Sequence, residues 1–464
     1  MRLKIFSLFF LIVSHLFSEE NLNIQTPLEK DFRYFLDLKN SEKSYEHTIK
    51  ILENISNVNQ AIFDEYAKKI DYDETLAVLQ CMNANEKSLV EANSDCIVVG
   101  LNLKKALELT PLEINSIILK IEDRYPIFAK ELKIINSPIP FTKIVSSSHD
   151  IIYDLYLNSS NNFLYEKLNY KLPLKTIEKI KYDEKFERFL SLIISNPKLN
   201  FLQSSFFDLD DTNYNYNVSF LLAINRVLNK KIDEQTVIYF KNALSKAISQ
   251  YEKDKVNFWL YLLKNEESTL AVLKESSDLN IYTLYAKKDI KIDDSFKILE
   301  YEFLKDCFTD RKILIHSFAK TLSNFDVKSI SKEFDLGLMQ LNLNKVNEIV
   351  LLNNLELKEE ELLTPKTNIL YYSYILNELE TEFYHPLTLF YAYVNGAKNL
   401  NERLYFNLFE TQNIYEPYLS LELLGDEKVK EFIYNYIAYT KIFAKKDLSL
   451  EEFFKNLFQP SDFH

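Results

Sequence analysis

The sequence predicts an all-α protein, and three observations lead to that class. There are only four glycines in 464 residues, against a usual content of about 7%. Because tight turns need glycine at positions of positive φ, this scarcity disfavours sandwiches, propellers and barrels. Apolar residues recur at three- and four-residue steps, which is the helical period. The 34 phenylalanines and 30 tyrosines suit thick helix–helix packing.

Length, motifs and charge narrow the function classes. At about 100–200 residues per domain, the chain should hold two or three domains. No GxGxxG or GxxxxGK[ST] motif occurs, which excludes glycine-rich phosphate loops and with them most nucleotide-dependent enzymes. The net charge of −13 disfavours binding to nucleic acid or to an anionic membrane surface. We expect no metal or organic cofactor.

The first 18 residues have the pattern of a secretory signal. Arg2 and Lys4 form a charged segment before the apolar run Ile5–Phe17. Ser18 is a small residue that suits a cleavage point. The run is too short to span a bilayer core, which takes about 20 residues. We therefore expect export without stable membrane insertion after cleavage; an uncleaved anchor is the alternative.

Two of the three cysteines are spaced for a disulfide. Cys81 and Cys96 flank the polar stretch Asn83–Asp95, which is predicted to connect two helices. In an oxidising compartment a bridge over such a loop would stabilise the fold by about 3 kcal/mol. The alternative is that all three, Cys307 included, are small buried apolar residues.

The residues before about 300 are predicted to form a superhelix of stacked helical hairpins. A clear pair is Val218–Leu228 and Gln235–Tyr251, with Asp233 as the N-cap of the second helix. No strict repeat is present, and such an array commonly offers a binding surface. The loop Gln203–Asn217 contains three aspartates, but it lacks the glycine and the closing Glu of a calcium loop. We expect a solvated acidic loop there.

The C-terminal third contains a motif of 22 residues. Ala319–Gln340 reads AKTLSNFDVKSISKEFDLGLMQ and resembles the signature A-R-Q-E-S-x-[FW]-[ND]-P-x-x-x-S-x-x-G-A-x-G-L-M-Q of the soluble lytic transglycosylases. Downstream, Leu363–Ile369 is similar to the family's L-x-P-x-x-N-I, and Ala392–Gly396 to its A-Y-N-A-G. The agreeing positions include Gly337, Leu338, Met339, Asn368 and Gly396, which we interpret as structural motif residues.

This resemblance implies a domain layout. Larger members of the family carry a signal peptide, a helical superhelix and a lysozyme-like helical domain. The corresponding segments here are 1–18, 19–300 and 301–464. The family acts on peptidoglycan glycan strands, so the resemblance also implies a periplasmic location.

The family's catalytic residue is missing. In the family one glutamate protonates the leaving oxygen between N-acetylmuramic acid and N-acetylglucosamine, then acts as base while a 1,6-anhydro ring closes. A buried carboxyl with a raised pKa can do both. Leu322 occupies its position and can do neither. The motif glycine is likewise replaced by Phe334, the asparagine of A-Y-N by Val394, and the late E-T-R segment has no clear counterpart near Leu424–Lys430.

Other residues could retain part of the site. Ser323, Gln340 and Tyr393 resemble sugar-contacting positions, with structural inheritance as the alternative. Glu333 is a possible stand-in acid, and three further glutamates follow in the next helical stretch, at Glu378, Glu380 and Glu382. His316 and His385 have no partner at ligand or triad spacing, so we expect packing or surface roles.

Three hypotheses follow from the sequence. The first is a catalytically impaired lytic-transglycosylase-like protein of the periplasm that binds glycan strands or another cell-wall enzyme. The second is an active lytic transglycosylase with a non-standard acid. The third is an unrelated helical-array scaffold for protein interaction.

Overall fold

The computed structural model describes residues 26–42, 44–70, 73–405, 415–423 and 427–454. The predicted signal segment lies outside these residues. The described residues form 28 α-helices with a few short 3₁₀ and π turns. Within these ranges the only β pairing is the isolated bridge between Ile330 and Leu336. The all-α prediction is therefore confirmed. No helix in the described ranges has the length and apolar character needed to cross a bilayer.

The chain forms two compact units, and the smaller one holds the first helices. It consists of the residues up to Leu79 together with Ile330–Leu336. Its helices are α1 (Pro27–Asn40), α2 (Tyr45–Leu52), α3 (Gln60–Lys69) and the first part of α4 (Asp73–Asn83). Helix α1 begins at a capping box, in which Thr26 and Glu29 each bond the other's backbone N–H. The buried Asp31 accepts hydrogen bonds from the backbone of Ser56 and Asn57.

The larger unit begins with helices that stack in series. They are α5 (Glu86–Glu91), α6 (Ser94–Gly100), α7 (Leu103–Ala106), α8 (Pro111–Ile121), α9 (Pro126–Ile135), α10 (Pro140–Val145), α11 (His149–Asn158), α12 (Asn161–Phe163), α13 (Leu174–Ile180), α14 (Phe186–Ile194), α15 (Asn200–Gln203), α16 (Tyr216–Leu228), α17 (Glu234–Lys246), α18 (Gln250–Lys264), α19 (Glu267–Glu275) and α20 (Ile281–Lys287). From α8 to α11, and again from α16 to α20, each helix packs against the next. This serial packing is the predicted stack of helical hairpins.

The same unit ends with the helices that carry the motifs. They are α21 (Thr309–Ser323), α22 (Leu343–Leu352), α23 (Pro365–Leu379), α24 (Pro386–Asn395), α25 (Ala397–Tyr405), α26 (Glu416–Leu423), α27 (Glu427–Ala444) and α28 (Leu450–Phe454). Helices α21 and α27 pack closely along their lengths, and α24 packs on both α23 and α27. The domain boundary at residue 300 stays a prediction.

Capping residues decide where one predicted helix ends. Asp233 is the N-cap of α17, as predicted, and its carboxylate accepts from Thr236 N. The predicted helix Gln235–Tyr251 is wrong in its extent, because α17 stops at Lys246. Ser249 then starts α18 with a capping box to Glu252, which favours a new helix over continuation.

The predicted connector Asn83–Asp95 also contains helical structure. Asn85 and Asn93 accept hydrogen bonds from Ser88 N and Cys96 N, so each side chain caps a short helix. Cys81 and Cys96 form a disulfide with their Cα atoms 5.1 Å apart. Cys307 is a free, half-buried thiol.

Two of the three aspartates in the acidic loop, Asp208 and Asp210, are exposed as expected, whereas the third is not. Asp211 is buried and accepts from the Asn242 side chain at 2.8 Å. Asp208 pairs with the buried Arg226 guanidinium at 3.2 Å. The described residues contain no group of His, Cys, Asp and Glu arranged to hold a metal ion.

A buried ionic cluster joins the stacked helices to the motif-bearing helices. The Glu422 side chain on α26 is 4% exposed and lies 3.0 Å from Lys255 Nζ of α18 and 3.1 Å from Lys430 Nζ of α27. Trp259 Nε1 and Tyr282 Oη also donate to its Oε1, at 3.1 and 2.9 Å. Burial favours the protonated acid, but the two ammonium groups outweigh it and lower the pKa of Glu422 to about 2.

We expect Glu422→Gln to lower the free energy of unfolding at pH 7 by about 3–5 kcal/mol, because it leaves two buried lysines without their counter-charge. The native pKa of Glu422 lies below its ordinary 4.5. Its carboxylate therefore stabilises the fold above that pH, and the contribution is lost as the pH falls toward 2. Urea unfolding at several pH values measures both effects.

Glu427→Gln is the matched control for this experiment. Its carboxylate lies 3.7 Å from the same Lys430 but is 64% exposed, so we expect a change below about 1 kcal/mol. Equal losses for the two variants would contradict a special role of the buried carboxylate.

Candidate functional site

The position of the missing acid lies in the last turn of α21. Leu322 is half-buried and brings no titratable group to this turn. Phe318, one turn before Leu322, packs α21 against the core. Its ring lies edge-on to those of Tyr372, Phe390 and Phe432, with ring centroids 5.1–5.3 Å apart. This core fixes the end of α21 without a polar group at Leu322.

The Gly-Leu-Met-Gln segment is clamped by Asn368 of α23. The buried Asn368 side chain accepts from Met339 N at 2.9 Å and donates to Leu362 O at 2.7 Å. Gly337 has φ +71°, and a Cβ there would come within 2.6 Å of Leu362 O. Only glycine therefore fits this turn, and the structure brings three of the predicted motif residues into one contact. Leu338 packs beside them, fully buried.

The three predicted sugar-contacting side chains bond to the protein's own backbone. Ser323 Oγ donates to Ala319 O at 3.1 Å within α21. Gln340 Nε2 donates to Ser329 O and Gly337 O, at 3.2 and 2.9 Å. Tyr393 Oη donates to Met339 O at 2.7 Å. These contacts favour the structural interpretation, although each side chain stays partly exposed.

The part of the motif just before Gly337, Ile330–Leu336, belongs to the smaller unit. Phe334 is fully buried and packs against Phe32 and Phe35 of α1, with both ring centroids at 5.4 Å. Its φ is +63°, in the left-handed region that favours glycine. Glu333, the predicted stand-in acid, is exposed. At the position of the motif glycine, Phe334 thus packs this segment against α1.

The other glutamates considered as stand-ins have polar partners. Glu378 pairs with Lys345 at 3.0 Å, and Glu380 pairs with Arg311 at 2.8 Å. Glu382 accepts a hydrogen bond from the side-chain amide of Asn401. All three therefore take part in surface contacts.

The two histidines pack inside the larger unit, as expected. His316 bonds to Leu299 N and Lys312 O, and His385 bonds to Phe453 O. Burial lowers the pKa of both imidazoles to about 4, so both are neutral at pH 7.

A carboxyl that the sequence did not indicate, Glu431, lies on α27, the helix that bonds the last turn of α21. Asn435 Nδ2 of α27 donates to Thr321 Oγ1 at 3.0 Å, next to Leu322. One turn before Asn435, Glu431 keeps solvent access. Burial of its carboxyl raises the pKa of Glu431, and the nearby Lys320 offsets this in part. The run of charged residues around Glu431 is typical of a solvated helix face. Only the four-residue spacing from Glu431 to Asn435 could have indicated that the two side chains lie on one face of α27.

Gly396 ends α24 with φ +87°, and a Cβ there would meet nothing within 4 Å. The positive φ alone therefore favours glycine at position 396.

The C-terminal helices hold a glycine turn that is clamped by an asparagine. Residues 308–413 match the family described as "Transglycosylase SLT domain". The predicted resemblance to soluble lytic transglycosylases is therefore confirmed over these residues. No curated protein matches the chain.

Three solved structures are similar to this chain at low identity. A 70-kDa soluble lytic transglycosylase in complex with bulgecin A is 12% identical, with 92% of this chain and 75% of that chain covered and a TM-score of 0.36. An inactive mutant of Slt from Pseudomonas aeruginosa is 11% identical, with 95% and 76% covered and a TM-score of 0.29. Slt70 from Escherichia coli is 14% identical, with 92% and 75% covered and a TM-score of 0.30. Likenesses at these TM-scores carry no argument here.

We expect Phe334→Gly, which restores the family's residue, to destabilise the protein. Losing a buried phenylalanine costs about 3–5 kcal/mol, whereas relief of the left-handed backbone returns about 1–2 kcal/mol. The net loss of about 1–4 kcal/mol is measurable by urea unfolding.

Lys230→Gly controls for the backbone term. Lys230 is exposed and also has positive φ, +56°, so glycine there relieves strain without removing packing. We expect its stability to change by less than about 1 kcal/mol. A Phe334→Gly variant as stable as the parent would show that the aromatic anchor contributes little.

Proposed function

We propose that this protein is a catalytically impaired lytic-transglycosylase-like protein that binds peptidoglycan glycan strands. The observation that carries the proposal is Leu322 at the end of α21, where the family's acid belongs. A leucine side chain neither donates nor accepts a proton, so it supports no protonation of a leaving glycosidic oxygen. The domain's backbone scaffold is nevertheless intact around it, because Asn368 clamps the Gly337 turn.

Retention of the scaffold supports binding as the remaining activity. Loss of a single general acid costs about 10²–10⁴ in rate, whereas glycan affinity depends on groups spread along a binding surface. Ser323, Gln340 and Tyr393 remain at the family's positions, and each is partly exposed. In addition to the backbone bonds that these side chains make, we propose that their exposed faces contact the glycan.

The proposed location is the periplasm. It rests on the signal-like segment Met1–Ser18 and on the family's relation to the cell wall. The stacked helices α8–α20 would serve as a docking surface for another cell-wall enzyme. The protein would then position such an enzyme on glycan without cleaving it.

We expect the purified protein to cosediment with sacculi and to release no 1,6-anhydromuropeptides, because no acid lies at position 322. Leu322→Glu should restore release, since it returns a carboxyl to the half-buried last turn of α21. Mass spectrometry of the soluble products measures release, and the pellet fraction measures binding.

Leu322→Gln is the matched control for Leu322→Glu, because glutamine has a polar side chain of the same length as glutamate but no titratable proton. Product release by the wild type would contradict the proposed impairment. Failure to cosediment would contradict glycan binding. Silence of Leu322→Glu alongside cosedimentation would mean that further catalytic groups have been lost.

Glu431 supports a second candidate, an active enzyme with a non-standard acid. The carboxyl lies on the helix that bonds the last turn of α21, through Asn435 and Thr321. Burial raises its pKa, which favours the protonated form that a general acid needs. This candidate replaces Glu333 as the stand-in acid.

If the wild type cleaves sacculi, we expect Glu431→Gln to lower the rate by about 10²–10⁴, because it removes the proton donor. The wild-type rate should also fall as the pH rises through the raised pKa of Glu431. Glu427→Gln, one turn earlier on α27, should leave both unchanged. Wild-type turnover by Glu431→Gln would remove this carboxyl as the acid.

A further inference from the structure

The helix pair α22 and α23 carries apolar side chains on its outer side. The two helices pack together and run antiparallel, because Lys345 near the start of α22 lies 3.0 Å from Glu378 near the end of α23. Leu352 lies seven residues after Lys345, on the same face of α22. Leu370 lies eight residues before Glu378, on the same face of α23. The faces joined by the ion pair therefore also carry the two leucines, about two turns further along.

These leucines belong to a set of exposed apolar residues. Leu352 is 81% exposed, and Leu351 beside it is also exposed. On α23, Leu370 and Tyr374, which are one turn apart, are exposed as well. We call these four residues the α22–α23 strip. A single exposed leucine is ordinary on a protein surface, whereas several on adjoining faces of one helix pair are typical of a contact with another protein.

The surroundings of the strip are acidic. Residues 345–378 contain six glutamates and three lysines. The Lys345 ammonium is shared by two of these carboxylates, at 3.3 and 3.0 Å. Glu356 and Glu360 are exposed on the segment that joins the two helices, next to the end of α22 that carries the leucines. This charge favours a partner with basic residues at its edges and disfavours an anionic membrane surface.

We propose that the α22–α23 strip is the docking site of a protein partner that presents a basic amphipathic helix. Apolar residues of such a helix would cover the strip, and its flanking lysines or arginines would meet the glutamates of the segment that joins α22 and α23. The strip lies outside the stacked helices α8–α20, and its occupation requires no glycan. It therefore adds an interaction surface to the proposed function and stands independently of it.

The test uses the full-length protein and, as the probe, a fluorescently labelled amphipathic helical peptide of leucine and lysine, with binding measured by fluorescence anisotropy. Leu352→Ser combined with Leu370→Ser should weaken binding about tenfold or more, because two apolar contacts are lost. Glu356→Gln combined with Glu360→Gln should weaken it less and reduce its dependence on salt, because exposed charge pairs are screened. All four side chains are exposed, so the melting temperature should change little.

Leu112→Ser combined with Leu119→Ser is the matched control. These two leucines are 81% and 74% exposed and lie seven residues apart on one face of α8, outside the strip. Their replacement should leave the affinity for the peptide unchanged. An isomer of the peptide with the same residues, but in an order that gives no apolar helical face, should bind the wild type much more weakly. Leu352→Ser alone, at the more exposed position of the strip, should show part of the loss.

Four outcomes would overturn the proposal. They are absence of peptide binding, wild-type affinity in the Leu352→Ser, Leu370→Ser variant, an equal loss in the α8 control, and equal binding of the isomer without an apolar face. Binding of the wild type to phosphatidylcholine vesicles that the strip variant loses would mean that the strip contacts lipid, and it would overturn the proposal too. None of these results bears on the proposed function, because cosedimentation with sacculi tests that function separately.

Discussion

The Glu422 carboxylate holds together helices that are far apart in sequence. It is buried between Lys255 and Lys430 and accepts further hydrogen bonds from Trp259 and Tyr282. A buried carboxylate tolerates such a position only when its charge and lone pairs are met. The three helices that supply these partners, α18, α20 and α27, must therefore keep their places, and α27 in turn packs against α21, which carries Leu322 in its last turn. The candidate site depends on this cluster for its position.

Around that site, the motif residues bond to backbone groups of the Gly337 turn and of neighbouring helices. The amide of Asn368 bonds two backbone groups of the Gly337 turn, and the turn then supplies Met339 O to Tyr393. None of these contacts needs a catalytic carboxyl. Leu322 places an apolar side chain on a half-buried turn that these contacts do not use.

The substitution at Phe334 also leaves the local packing intact. Phe334 fills a cluster with Phe32 and Phe35, although its backbone is in the left-handed region. The packing energy of a buried aromatic ring exceeds the strain of one such residue. A position where the family needs glycine for a tight turn thus serves here to anchor residues 330–336 within their own unit.

The amino-acid sequence by itself determined the helical class, the Asp233 cap and the motif that led to the transglycosylase SLT family. Scarce glycine, helical periodicity and capping side chains act locally, so they can be read without coordinates. The end of α17 at Lys246 and the short helices between Cys81 and Cys96 were missed, because competing caps at Ser249, Asn85 and Asn93 are local signals of similar strength. Only the tertiary structure decided which polar groups are buried. The partners of Glu422 and the hydrogen bond from Asn435 to Thr321 depend on residues distant in sequence, whose approach no local pattern encodes.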